Sequence, residues 1–487
     1  MKKNTVIKPG EISNAVRRLL LLLSVMVFAV LFAAEIDIIA AGKARFAYEL
    51  GNGLVNYSAG FVRRGLFGEI IQFMSVLFQP VVSMILLSLV SNLFIFCIIW
   101  KKMTRLQIRL PYILAIIFSP SMILMHRGEE FVRTDAILLA LNFAASCFLL
   151  HLIFGGNRTS YRRDGARSSF YGMLVIDTVL FLVLTASALI HELSAALLPP
   201  VMLLFFVYAK RVHRAMHFVA LCVLIFVFYG VMMKTFSFAD SDVIAESWAG
   251  IYTNPDSFRY SDGLLSIVDK VRALDCKQRT MDRLLNGGWP LFTNMIIAVV
   301  LPLAVILLSG IRIFHSSSLR SRTIRCLLVV FSMAPLGLCL VGYDFGRWFS
   351  FCALNFTVYC LLIAHPASGA GVPQCPNDTD RKIRSVVIQC ALIAASLVLL
   401  NSRLNWDGKI YQIGSNPLVY IKLAASDSRN LFNDIKPLLT REKVYQPKNV
   451  WKFPLWRQNP AKSPSEGMLR GGSVQAVVVK PETNLKQ

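Results

Sequence analysis

Eleven stretches of this chain are apolar over lengths that call for a bilayer rather than a protein core. A hydrocarbon layer about 30 Å thick takes roughly 20 helical residues to cross. The stretches run over 18–40, 80–100, 110–126, 134–155, 173–190, 195–209, 217–234, 290–311, 326–342, 349–365 and 385–402. Of the 487 residues 55% are hydrophobic and only 16% charged, which excludes an ordinary soluble domain. The expected fold is an all-α polytopic membrane protein with about eleven transmembrane helices. Pro120 and the Pro199-Pro200 pair make 110–126 and 195–209 candidates for broken or re-entrant helices, which membranes tolerate where they line a cavity.

The loops between these stretches alternate in charge. Of the 51 Lys and Arg, 23 lie within Lys2–Arg18, Lys101–Arg109, Arg158–Arg167, Lys210–Arg214, Arg312–Arg325 and Arg381–Arg384. Cytoplasmic loops carry that excess, so the net charge of +23 reads as topology and attraction to anionic lipid, not nucleic-acid binding. The N-terminus is then cytoplasmic and the C-terminus outside. Arg17-Arg18 and the apolar run after them imitate a signal peptide, but the run continues through Ile39 and reads as an uncleaved anchor. Residues 1–402 form the membrane domain, with long outer loops at 41–79 and 235–289. Residues 403–487 form an outer C-terminal segment whose end has a disordered composition. Most cysteines fall inside apolar stretches and show neither CxxC nor metal spacing.

The other set of loops carries carboxylates beside Arg or His, and charge at a bilayer edge marks candidate sites. Glu35 and Asp37 end the first stretch and suit a general base, or simply interfacial solvation. Arg63 and Arg64 sit on a stretch whose apolar positions 62, 66, 67, 70, 73, 74 and 77 follow helical spacing, with Gln72 opposite. That is the pattern of a helix lying in the interface plane. Its arginines pair with lipid headgroups or grip the phosphate of a substrate. Arg127 to Asp135 packs Arg127, Glu129, Glu130, Arg133 and Asp135 into one short loop, with Asp135 placed for a helix N-terminus or for catalysis. His191-Glu192 offers a metal contact, a proton relay or a hydrogen-bonded turn. Asp344-Phe345-Gly346-Arg347-Trp348 joins two stretches by a short turn in which Arg347 suits a phosphate and Trp348 an interfacial belt. There is no Walker A loop and no HExxH.

Taken together these features resemble the GT-C type multispanning glycosyltransferases, and within them the phage-type O-antigen glucosyltransferases. The resemblance rests on Glu35-Ile36-Asp37 after the first span, the amphipathic stretch at 60–77 and the outer C-terminal segment. The strings FVRRGLFGE, FVRTDAILL, LIHELSAALLP and YDFGRW add to it. It implies an enzyme of the bacterial inner membrane whose outer loops and C-terminal tail are periplasmic. Its donor would be a polyprenyl-phosphate sugar, a glucosyl unit, and its acceptor a lipid-linked O-antigen. Asp37, Glu35, Asp135 and Asp344 would be the catalytic acids. Arg63, Arg64, Glu130, Arg133, His191, Glu192, Arg347 and Trp348 would bind substrate, with aromatics of 235–289 and the tail stacking on sugars. No cofactor and no metal site is indicated. An O-antigen polymerase is the alternative, although it calls for one dominant outer loop. A flippase or other transporter calls for charge deeper in the spans.

Overall fold

The computed structural model describes residues 51–59, 64–106, 133–155, 166–191, 193–209, 241–249, 322–340 and 345–364, isolated positions between 108 and 116, between 216 and 230 and at 387, and the pieces 402–404 and 410–412. All belong to the first of two compact units, Met1–Pro447 and Lys448–Gln487. Among the described residues the helices are α1 (Gly65–Met74), α2 (Pro80–Arg105), α3 (Asp135–Gly155), α4 (Ala166–Ile190), α5 (Ser194–Ala209), α6 (Ser241–Ser247), α7 (Arg322–Ser332) and α8 (Phe345–Ile363). A 3-10 helix, Ala334–Leu340, lies between α7 and α8. Among the described residues two helices, Pro80–Arg105 and Asp135–Phe154, are long and apolar enough to cross a membrane. The described residues are helical apart from one short antiparallel hairpin, β1 (Ser402–Leu404) with β2 (Ile410–Gln412), which the sequence reading did not anticipate.

Each long helix buries part of its apolar surface against its neighbours. α3 packs on α2 and α5, and α8 lies against α7, the 3-10 helix and α2. On α2 the face Met84, Ser88, Asn92, Ile95, Ile99 is buried, whereas Val90, Leu93 and Phe94 point outward. α8 has no outward face: every residue from Trp348 to Ile363 is buried. Side chains tie three helices together at successive levels. Asp135 at the start of α3 meets Arg347 at the start of α8. Farther along, Ser146 and Tyr359 share a hydrogen bond of 2.6 Å. Near the other end, Lys102 Nζ donates to the Leu362 carbonyl at 3.3 Å. Start meets start and end meets end, so α2, α3 and α8 run in parallel.

Among the described residues a helix breaks where the sequence did not flag it, while the flagged stretch around Pro120 lies outside them. α5 carries Pro199 and Pro200 yet runs unbroken from Ser194 to Ala209. The stretch 326–342, read as one span, instead stops at Ser332 and resumes as the 3-10 helix. The cause is Pro335, which lacks an N–H and disfavours the α conformation in the residue before it. From Met333 the chain tightens, with Met333 N–H on the Val330 carbonyl and Leu336 N–H on the Met333 carbonyl. The Ser332 carbonyl then takes its donor from α8, where Asn355 Nδ2 reaches it at 2.7 Å. A freed backbone group deep in a bundle needs such a neighbour. Arg325, read as part of a basic loop, is a buried residue of α7.

α1 is a helix as its spacing predicts, but its apolar residues divide between two environments. Phe67 and Ile71 turn inward with Gly65 and Gly68, while Phe73, and Leu77 just past the helix, stay 60% and 77% exposed. Gln72, assigned to the polar side, reaches Asn56 and the Ser247 carbonyl. The glycines allow residues 53–57 to cross the helix closely: a Cβ on Gly68 would lie 2.0 Å from the Val55 carbonyl oxygen. Burial, and then the nearby Glu69 carboxylate, push the Tyr57 phenol above its ordinary pKa, so it stays neutral. Trp248, expected among sugar-stacking aromatics, is fully buried and donates its indole N–H to the Leu54 carbonyl at 2.8 Å. It fastens residues 241–249 to residues 51–59.

Gly68→Ala should therefore force α1 away from residues 55–56. Overpacking of this kind costs about 1–3 kcal/mol. The check is the unfolding midpoint of the detergent-purified protein, which should fall for Gly68→Ala and hold for Leu77→Ala on the exposed edge.

Candidate functional site

The charged residues that the structure brings together lie where α3 and α8 begin and α4 gives way to α5. Asp135 opens α3, and a carboxylate there is favoured by the unpaired N–H groups and the dipole of the first turn. Arg347 lies in the first turn of α8, where the dipole disfavours a cation. Asp135 offsets that: Nη2 of Arg347 donates to Oδ1 and Nε to Oδ2, a two-pronged grip on both carboxylate oxygens. Only 11% of the Arg347 side chain and 8% of the Asp135 side chain are exposed, so the pair is largely desolvated. The indole of Trp348 lies against the guanidinium, 4.8 Å from ring centre to Cζ. Trp348 is itself buried and backs Arg347.

His191 comes in from the end of α4. It is buried, and its Nδ1 accepts the Leu193 N–H at 3.1 Å while its carbonyl accepts the Ser194 N–H at 3.1 Å. The local hydrogen bonds turn the chain from α4 into α5 and leave the ring's proton on Nε2 in the neutral form. The turn is thus one of the readings open for His191-Glu192. Arg133, just ahead of α3, and His191 both act electrostatically on the Asp135 carboxylate. Arg133, Asp135, His191 and Arg347 therefore form one group, drawn from α8, the α4–α5 turn and the start of α3. Its described side chains carry two permanent positive charges and one negative, before any protonation of His191. Such a group favours an anion, and arginine favours one with the flat, bidentate oxygens of a phosphate or carboxylate.

Arg64 belongs to a second assembly around α1. Its backbone has φ 67, in the left-handed region, and its Nη1 donates to Asn52 Oδ1 at 3.0 Å. Glu35, Asp37, Arg63, Glu130, Glu192 and Asp344 lie outside the described residues. Among the described residues no three His, Cys, Asp or Glu side chains are grouped to hold a metal ion. Sequence reasoning passed over the neutral polar residues that line the same bundle: Asn92, Asn142, Ser146, Asn355 and Tyr359 are all buried. The signal was present, since an asparagine inside an apolar stretch of span length needs a partner as much as a charge does.

Removing one partner of a buried ion pair strands the other and costs about 3–5 kcal/mol. Asp135→Ala and Arg347→Ala should each destabilise by that order, and the double substitution by much less than their sum. Unfolding free energies of the four proteins in mixed micelles decide this; simple additivity would contradict a coupled pair.

Compared with protein-family models, with curated proteins and with solved structures, the chain finds no match in any of the three.

Proposed function

We propose that this chain is a glycosyltransferase of the bacterial inner membrane, crossing it about eleven times. It moves a sugar, a glucosyl unit, from a polyprenyl-phosphate donor to O-antigen or a related surface polysaccharide on the periplasmic face. The observation that carries the reading is the group of Arg133, His191 and Arg347 around Asp135, at the start of a helix long and apolar enough to span a bilayer. A phosphate on a lipid carrier arrives at the edge of the hydrocarbon, and there it needs arginines that are already oriented. Arg347 meets that need because Asp135 and Trp348 hold its guanidinium, so little reorganisation is left for the reaction.

The chemistry then divides as follows. A carboxylate, Glu35 or Asp37, removes the proton of an acceptor hydroxyl. The hydroxyl oxygen bonds to the anomeric carbon as the bond from that carbon to the phosphate oxygen breaks. The electron pair leaves with the lipid phosphate, whose growing charge Arg347 and Arg133 stabilise. Asp135, with both oxygens held by Arg347, is a positioning residue in this scheme and not the base. Asp344 and Glu130 join the same face by sequence, and no nucleotide is consumed outside the cell. An O-antigen polymerase would use the same cationic group on a lipid diphosphate, which makes it the second reading.

The deciding measurement is the mass of lipopolysaccharide from cells with and without the gene. One added hexose per repeat supports the transferase, a change in chain length supports the polymerase, and an unaltered polysaccharide contradicts both. With purified protein and polyprenyl-phosphate glucose, loss of a preorganised anion donor by Arg347→Ala should slow transfer about 10²-fold. Alanine at both Glu35 and Asp37 should abolish it, and retained activity there would move the base elsewhere.

A further inference from the structure

Two asparagines on facing helices hold buried oxygens that call for the same kind of donor. Asn142 on α3 is 1% exposed and Asn355 on α8 is 0% exposed. The Nδ2 of Asn142 donates to the Leu138 carbonyl at 2.8 Å, and that of Asn355 to the Ser332 carbonyl at 2.7 Å. Those carbonyls can only accept, so both amide orientations follow and each Oδ1 is an acceptor. Neither Oδ1 has a hydrogen-bond partner among the described residues. An unmet acceptor in so apolar a place is strongly unfavourable.

The helix register sets the two oxygens at one level. Asp135 meets a partner 212 positions on, and Ser146 meets one 213 positions on. Asn142 and Asn355 are separated by that same 213, and each lies one helical turn before the Ser146–Tyr359 hydrogen bond on its own helix. The backbones of α3 and α8 make few close approaches, so the side chains between them reach across a gap. Phe143, edge-on to Tyr359 with ring centres 6.0 Å apart, packs beside this level.

We propose that one water molecule is enclosed between α3 and α8, donating one hydrogen to Oδ1 of Asn142 and the other to Oδ1 of Asn355. Water fits because it satisfies two acceptors and brings no charge into the bundle. A metal cation would need a larger set of oxygens than these two. The water ties α3 to α8 one level below the Asp135–Arg347 pair. Through Asn355 it also ties both to the broken end of α7. This tie is independent of what the cationic group binds.

The test is a double-mutant cycle with Asn142→Leu and Asn355→Leu, read by unfolding in mixed micelles. Each single substitution leaves the water with an unmatched hydrogen or, if the water is lost, leaves the opposite oxygen unmet, so each lowers the unfolding midpoint. The double substitution removes both and falls by clearly less than the sum. Additive effects, or midpoints that rise with each leucine, overturn the proposal, because the oxygens would then be served separately or sit dry. A midpoint of the parent protein that depends on whether sodium, potassium or choline chloride is present overturns it in favour of a cation. Should the leucine variants not fold, the unsubstituted protein still decides. Both asparagine side-chain amides should show magnetisation transfer from one long-lived water, and its absence at either one overturns the bridge.

Discussion

The buried pair of Asp135 and Arg347 is the constraint on which the described bundle turns. Each charge begins a helix, and only one of them is favoured there. The carboxylate complements the first turn of α3, whereas the guanidinium stands against the dipole of α8 and is stable because it faces Asp135. The pair therefore fixes where α8 starts relative to α3. With that level set, Ser146 meets Tyr359 farther down and Lys102 caps the end of α8. Trp348 and the residues after it then follow into a position buried on all sides.

The same pair separates structural from chemical roles among neighbouring charges. Asp135 has both oxygens engaged, which suits orientation and not proton transfer. Arg347 is held in a fixed plane by Asp135 and backed by Trp348. His191 is built into the turn that sends the chain from α4 into α5. Two helix starts and one turn thus concentrate positive charge in one place, and that concentration underlies the proposal of a phosphate-bearing substrate.

Away from the charges, the bundle is organised by how it satisfies polar groups without water. α7 stops at Ser332 and the carbonyl it frees is met by Asn355 from another helix. α5 absorbs two prolines without a break. Proline alone therefore does not say where a helix will end. The outcome depends on whether the surroundings favour the lost turn or supply donors for the carbonyls it releases. Trp248, Asn56 and Gln72 do the corresponding work around α1, joining residues of two long loops through hydrogen bonds to side chains and backbone.

Much was legible in the sequence because the physics was local. Apolar runs of span length specify helices at α2 and α3, and Gly, Pro and charged residues mark where those runs end. The local pattern also singled out Arg133, Asp135, His191 and Arg347 one by one as charges at helix edges. What it could not contain is which of them meet. That Asp135 and Arg347, 212 positions apart, grip each other is decided by the packing of α3 and α8. Which apolar residues of α1 turn inward is decided by residues 53–57 crossing it. Hydropathy is a property of a segment, so the sequence by itself determined helices such as α2 and α3. An ion pair, a borrowed hydrogen bond or a buried face is a property of two segments at once, and only the tertiary structure could decide those.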